Sequence, residues 1–360
     1  MIGAVSDGRV LMTGNEALAE AAIRAELDAY FGYPITPQNE LTAYMAAQMP
    51  ARGRVFVQSE SELAAINMVF GASAAGKRAM TSSSSPGISL MQEGISYLAG
   101  GQLPCVVANI MRGGPGLGNI GPAQGDYWQA TRGGGHGDYR TIVLAPSTVQ
   151  EVADLTMEAF DLADRYRMVV MILGDGILGQ MMEPVRFRDY RRPELPGKPW
   201  AVTGAQGREQ NIVRTLWLDE GALERHNVAL QETYAEVEQA EARAVTEGLA
   251  DAEVVVVAYG MMARVARAAL RRVGAKGIAA GLIQPITLWP FPKETVAEAA
   301  QAGRRFLVVE MSHGQMVEDV ELAVRGRCEV GFFGRAGGGV PTVEQVSDQI
   351  EKMAGRGGGR

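Results

Sequence analysis

Cysteine is nearly missing from this chain. Its 360 residues hold two, Cys105 and Cys328, each in an apolar strand-like run and with no CxxC spacing. Two thiols are too few for a cluster held by four cysteines, so this chain cannot itself carry such an iron–sulfur centre. Both are expected as buried, reduced thiols. Basic residues are not in excess: 34 Lys and Arg stand against 41 Asp and Glu, a net charge of −7. That balance leaves no nucleic-acid footprint and favours solubility. No apolar run reaches bilayer-spanning length, and the N-terminus has no signal-peptide hydrophobic region. A cytoplasmic protein without a membrane segment is therefore expected. A glycine period is missing too. The 45 glycines follow no fixed spacing, which excludes a collagen-like chain and points to many tight βα turns.

What is present is a globular composition, 47% hydrophobic and 21% charged, at a length that suits two domains. Apolar strand-like runs are expected at 9–12, 55–57, 78–82, 104–111, 141–144 and 168–173, with helical patterns at 16–29, 38–49, 87–99 and 149–165. The run PCVVANIM is apolar throughout, as in a parallel strand buried on both faces. Residues 187–210 turn rich in Pro, Arg and Gly, the composition of a surface arm, and 223–247 reads as a charged, Ala-rich helix. The strand theme returns at 254–258, 277–283, 306–310 and 328–332. The chain is thus expected to be α/β with two parallel-sheet domains: 1–186, a linker arm and helix over 187–250, a second domain over 251–350, and a flexible tail over 351–360.

Four stretches invite chemistry. The first is QSESELAAINMVFGASAAG, where Glu62 heads a helix of small residues. An acid there commonly just complements the helix dipole. Beside Ala64, Ala65 and Gly71, however, it can be buried where another backbone or a flat ligand comes close. The second is YFGYPITP, in which Pro34 and Pro37 frame Thr36 in a rigid loop ahead of a helix. Open α/β sheets bind ligands at such loops. The third is MRGGPGLGNIG, where Arg112 leaves a buried strand, poised for an anion or for a surface ion pair. Gly116, Gly118 and Gly121 spell GxGxxG, but the polar, irregular segment 122–140 that follows is not the long helix a dinucleotide fingerprint opens, so a functional loop is expected instead. The fourth is Gly174-Asp175-Gly176. It matches the start of a diphosphate–metal motif, but the next asparagine, Asn211, lies beyond a Pro/Arg-rich stretch. Asp175 is therefore expected to cap a turn or helix.

Taken together, GNEALAEAAIRA, YFGYPITPQNE, QSESELAAINMVFGASAAG, TSSSSPGISLMQEG, MRGGPGLG and GDGILGQMMEPV resemble the alpha subunit of 2-oxoacid:ferredoxin oxidoreductases over about residues 9–345. The nearest likeness is to the 2-oxoisovalerate (3-methyl-2-oxobutanoate) type, with the 2-oxoglutarate type close. The resemblance implies a thiamine diphosphate pyrimidine-binding domain followed by a domain like the C-terminal domain of transketolase. It implies a cofactor shared between chains, with its diphosphate and Mg²⁺ on a beta subunit and [4Fe-4S] clusters on partner subunits. Further gamma and ferredoxin-like delta subunits, ferredoxin as acceptor and coenzyme A as co-substrate are also implied. The family's cofactor glutamate falls on Glu62 rather than Glu60, with Pro34 and Ser85 beside the cofactor. Its substrate contacts fall on Tyr33, Thr36 and Arg112. No metal ligand is expected on this chain. The 133–138 loop (GGGHGD) looks like the branched-chain type, with no role implied.

That chemistry explains the residue types. A carboxylic acid bonded to the aminopyrimidine promotes the imino tautomer that activates the coenzyme. A guanidinium can hold a 2-oxoacid's carboxylate bidentately, and a fixed hydroxyl adds one hydrogen bond. Three rivals share parts of this pattern: a non-redox transketolase-type or decarboxylase subunit, a catalytically silent scaffold, and a nicotinamide-dependent dehydrogenase. The proline-framed loop and Arg112 favour the oxidoreductase over the first. Intact Glu62, Thr36 and Arg112 argue against the second.

Overall fold

The computed structural model describes residues 3–4, 8–301 and 303–355. Strands of the first domain are β1 (Gly3–Ala4), β2 (Val10–Thr13), β3 (Ala29–Gly32), β4 (Val55–Gln58), β5 (Ala79–Ser83), β6 (Cys105–Met111), β7 (Ile142–Leu144), β8 (Val169–Asp175) and β9 (Met182–Val185). Six of them form one parallel sheet in the order β4-β3-β5-β6-β8-β7. β6 and β8 are buried at every position, as their uninterrupted apolar sequence requires. β4 is an edge strand, and Val55 on it is half exposed. β1, β2 and β9 make a separate antiparallel sheet at the side.

The first helix, Gly14–Arg24, starts at a capping box in which Thr13 Oγ1 accepts from Glu16 N and the Glu16 carboxylate accepts from Thr13 N. Helix Glu62–Ala74 buries Glu62, Ala65, Ile66, Val69 and Ser73, a stripe at helical spacing, and Ser61 Oγ caps it by accepting from Ala64 N. It packs on helix Ser85–Gly100. Close approach there depends on Gly94, where a Cβ would sit 2.5 Å from Ile66 Cγ2. Gly71, expected to admit a neighbour, faces open space.

The second domain contributes β10 (Ala244–Glu247), β11 (Val254–Val257), β12 (Ala280–Pro285), β13 (Thr287–Trp289), β14 (Arg305–Glu310) and β15 (Glu329–Gly334). Its sheet runs β10-β12-β11-β14-β15, parallel except for β10, which pairs antiparallel with β12. Two features depart from the sequence expectation. The charged helix spans Ala222–Glu241, and the residues expected to continue it turn into β10, whose edge pairing outweighs helix propensity. β13 leaves its own domain and adds an antiparallel edge strand to the first sheet beside β7. The two domains therefore interlock at the level of strands.

Other differences are smaller. Cys105 is buried, and burial pushes its thiol well up, but Cys328 is only half-buried and immediately precedes β15. Residues 351–353 of the expected tail belong to helix Val343–Met353, and residues 356–360 lie outside those described. The arm 187–210 is pinned to the first domain by buried charge. Arg78 donates to Asp161 (2.8 Å), Asp164 (2.9 Å), Tyr190 Oη (2.6 Å) and Ala25 O (2.7 Å), while Lys198 Nζ lies 2.6 Å from Asp164.

No helix among the described residues is long and apolar enough to cross a membrane.

Candidate active site

In the parallel sheet, β4 lies on one side of β3 and β5 on the other, so chain order reverses between β3 and β5. The loops leaving these strands diverge there and open a crevice at the carboxyl ends, where such sheets bind ligands. Every candidate residue lies on a segment that begins at this edge. Tyr33, Pro34 and Thr36 follow β3, Glu62 follows β4, Ser85 follows β5 and Arg112 follows β6. Ser59 ties the first two segments together, its N–H donating to Gly32 O at 2.9 Å.

Glu62 is 5% exposed, whereas Glu60 is exposed, which separates the two acids of the SESE run. Ser83 Oγ donates to Glu62 Oε1 at 3.3 Å. On the opposite side Gly87 forms the wall, and a Cβ there would lie 2.4 Å from Glu62 Oε1 and 2.0 Å from Ser83 Oγ. Only a hydrogen at that position leaves room for the carboxyl group. Glu62 Oε2 makes no hydrogen bond among the described residues. Ser84 Oγ and Arg112 Nε, on the neighbouring segments, are buried polar atoms without a partner. Such atoms are costly unless something else satisfies them. This donor and acceptor set fits the aminopyrimidine end of thiamine diphosphate and a carboxylate.

The proline loop is held from both sides. Thr36–Pro37 is a cis peptide bond. Arg112 is 8% exposed, and its Nη1 donates to Thr36 O at 2.9 Å while its Nη2 donates to Leu117 O at 3.0 Å. The guanidinium thus fastens the proline loop to the glycine loop 113–121, and Nε stays unpaired. Thr36 Oγ1 accepts from Asn39 Nδ2 at 3.1 Å, and Tyr33 and Pro34 are exposed at the rim. Beneath them Tyr30 Oη, Ser82 Oγ, Gln38 Oε1 and Thr42 Oγ1 form one buried network, which holds the loop's base.

The GxGxxG glycines open no helix. They close a loop, with Gly113 N donating to Gly121 O and Asn119 N to Gly113 O, both at 2.9 Å. Gly118 has φ +63°, and a Cβ there would strike Gly113 O. The loop rests on the second domain, where Asn119 Nδ2 donates to Gly337 O at 2.9 Å. The segment 122–140 is mostly irregular but holds one short helix, Tyr127–Arg132. It docks onto the second domain through Gln124, which donates to Tyr259 O (3.0 Å) and accepts from Met311 N (2.9 Å).

The 133–138 loop packs on helix Ser85–Gly100 through Gly134 N and Gln92 Oε1 at 2.9 Å.

Asp175 caps helix Gly176–Gln180, Oδ1 accepting from Ile177 N and Leu178 N, and its Oδ2 accepts from Met261 N of the second domain at 3.3 Å. Burial pushes this carboxyl up to about 6, against the pull of those N–H donors. Asn211 donates to Pro199 O and Ala201 O within the arm. Among the described residues no three His, Cys, Asp or Glu are grouped to hold a metal.

Reasoning from sequence missed Ser83, which donates to Glu62, and Gly87, which walls it. Ser83 and Gly87 lie within the TSSSSPG run, whose crowding of small residues was the available signal.

A family described as "Pyruvate flavodoxin/ferredoxin oxidoreductase, thiamine diP-bdg" matches residues 20–246, and one described as "Pyruvate:ferredoxin oxidoreductase core domain II" matches residues 252–346. The ketoisovalerate oxidoreductase subunit VorB of Methanothermobacter thermautotrophicus is 52% identical over 96% of this chain and 98% of its own length. The 2-oxoglutarate synthase subunit KorA of the same organism is 38% identical over 94% of this chain and 97% of its own. Among solved structures, 2-oxoglutarate:ferredoxin oxidoreductase from Magnetococcus marinus, with 2-oxoglutarate, coenzyme A and succinyl-CoA bound, aligns with TM-score 0.83 at 26% identity, over 96% of this chain and 65% of that one. A split-gene transketolase, an inactive beta4 tetramer, aligns with TM-score 0.59 at 17% identity, over 96% of this chain and 98% of that one, and shares the fold. The chain belongs to the 2-oxoacid:ferredoxin oxidoreductase family, as an alpha-type subunit of a thiamine diphosphate-dependent enzyme.

Proposed function

We propose that this chain binds the pyrimidine end of thiamine diphosphate and the carboxylate of a branched-chain 2-oxoacid, 3-methyl-2-oxobutanoate. The complex it serves would convert that acid and coenzyme A to acyl-CoA and CO2, passing two electrons to ferredoxin. The observation that carries the reading is Glu62, a carboxyl group buried at the crevice, walled by Gly87 and with one oxygen unpartnered. The branched-chain substrate is supported by the 52% identity to the ketoisovalerate oxidoreductase subunit, against 38% to the 2-oxoglutarate synthase subunit.

When bound, thiamine diphosphate supplies the nucleophile and electron sink for decarboxylation. Glu62 would hold a proton at the free Oε2 and share it with the pyrimidine ring, in a site whose burial keeps water from competing. Pro34 and Ser85 lie on the two segments flanking the crevice and would pack against the ring. Arg112 Nε, buried and unpaired, would donate to the substrate carboxylate, a charge-assisted bond stronger than a neutral one. Thr36 would add a hydrogen bond from the loop that Arg112 already fastens, and Tyr33 would cover the mouth. A beta subunit would carry the diphosphate and Mg²⁺. Partner subunits, including gamma and ferredoxin-like delta chains, would carry [4Fe-4S] clusters in the cytoplasm.

The test is copurification with partner subunits, followed by acceptor-dye reduction on a panel of 2-oxoacids with coenzyme A. The reading expects iron in the complex and the highest kcat/KM on 3-methyl-2-oxobutanoate. A preference for 2-oxoglutarate would move the substrate assignment. A complex without iron that turns over 2-oxoacids without reducing the dye would overturn the redox reading.

A further inference from the structure

Arg112 owes its place to a carboxylate that does not touch it. Asp126 Oδ2 lies 2.5 Å from Ser85 Oγ and 2.9 Å from Asn109 Nδ2. Ser85 Oγ in turn lies 3.0 Å from Arg112 N and 3.2 Å from Arg112 O. A hydroxyl has one proton. The short contact to a carboxylate claims it, because a charged acceptor makes the stronger bond. Ser85 Oγ is then left as an acceptor, and the bonds run in one direction: Arg112 N–H to Ser85 Oγ–H to Asp126. Asn109, three residues upstream on β6, is fully buried and adds a second tether from the same strand to the same oxygen. The strand's exit is thus gripped at two points by one carboxylate.

Asp126 itself stands on a firm base. Two residues before it, Gln124 bonds Tyr259 O and Met311 N of the second domain. On the following turn Tyr127 Oη donates to Asp319 at 2.6 Å, and Trp128 N donates to Gln315 Oε1 at 2.8 Å. The carboxylate therefore joins the docked second domain to the start of the residue that spans from Thr36 O to Leu117 O.

We propose that Asp126 is a positioning residue for 2-oxoacid binding, orienting the Ser85 hydroxyl and thereby the Arg112 backbone so that the guanidinium meets the substrate carboxylate. This rests on the carboxylate-binding role of Arg112 proposed above.

The experiment measures KM and kcat for the 2-oxoacid in the purified complex for Asp126→Ala, Asp126→Asn, Ser85→Ala, Arg112→Ala and the Arg112→Ala/Asp126→Ala double variant. Loss of one hydrogen bond to a charged group corresponds to about tenfold or more. Asp126→Ala is expected to raise KM by about that factor with kcat within about threefold, and Ser85→Ala, which also removes a contact to the cofactor ring, to raise KM by at least that factor. Asp126→Asn keeps an oxygen acceptor in place and is expected to recover KM to within about threefold of wild type. In the double variant Asp126→Ala is expected to add less than about twofold to the effect of Arg112→Ala. An Arg112→Ala variant with unchanged KM would sink the underlying reading. A raised KM in Arg112→Ala with unchanged KM in both Asp126→Ala and Ser85→Ala, or full additivity in the double variant, would overturn the positioning role alone. If Asp126→Ala does not fold, Ser85→Ala decides by its 2-oxoacid KM at saturating thiamine diphosphate, since it breaks the same relay from the other end.

Discussion

Gly87 gives the most quantitative handle on the site. Its Cα faces the Glu62 carboxyl so closely that a methyl group would sit 2.4 Å from Oε1 and 2.0 Å from Ser83 Oγ. An ordinary contact needs about 3.4 Å or more, so in Gly87→Ala the carboxyl must retreat by about 1 Å. Both obstructing atoms end rotatable side chains, and alanine suits the first turn of helix Ser85–Gly100. The helix gains up to about 1 kcal/mol in propensity, while overpacking costs about 1–3 kcal/mol. The net destabilisation is therefore about 3 kcal/mol at most, and the fold persists. Function is affected far more, because a 1 Å displacement of an aligned group costs about a hundredfold in rate. Gly87→Ala should thus lower turnover of the assembled complex about a hundredfold while its melting temperature falls by only a few degrees. Dye-coupled turnover and thermal unfolding on the same preparation check both numbers. Turnover within a factor of two of wild type, in a folded variant, would refute the reasoning.

Two further outcomes concern stability. Arg78→Ala removes a 3% exposed guanidinium from Asp161 and Asp164. Breaking a buried pair costs about 3–5 kcal/mol. Lys198 and Tyr190 still reach these carboxylates, so the lower end is expected. Urea unfolding reads this directly, and a change below about 1 kcal/mol would count against the cluster's role. Asp175 is held at about 6, above the ordinary aspartate value near 4. The folded state then binds the proton more tightly than the unfolded chain, so its stability contribution is fully present below about pH 4 and declines as pH rises through 6, by about 3 kcal/mol. Asp175→Asn should flatten that decline in unfolding measurements between pH 4 and 7. Identical pH slopes in the two proteins would contradict it.

Much of this architecture could be read in advance because burial leaves marks in composition. PCVVANIM can only be a strand covered on both faces, and β6 is that strand. The SESE run placed two acids near a helix start, and the spacing of Ala65, Ile66 and Val69 faces Glu62 inward and leaves Glu60 exposed. Asp175 was readable as a cap because no asparagine follows the Gly174-Asp175-Gly176 run where a diphosphate–metal motif needs one. The rest depends on contacts far apart in sequence. Nothing local in Thr287–Trp289 tells it to cross to β7 of the other domain. β10 is only four residues long, and only its pairing with β12 makes it a strand. Arg112 looked like a residue awaiting an anion, yet two backbone carbonyls 76 and 5 residues away in sequence already occupy it. Asp126 is the same case: 41 residues from Ser85, it acquires meaning only when the 122–140 segment docks.

The central claim is that the buried Glu62 carboxyl activates the coenzyme by sharing a proton. Glu62→Gln changes one oxygen to an amide nitrogen and nearly preserves shape, so Ser83 and Gly87 can still accommodate it. With the complex purified intact, 2-oxoacid-dependent dye reduction should fall by about a hundredfold to ten-thousandfold, the range for a lost general acid–base group. Turnover equal to wild type in that assembled variant would contradict the account.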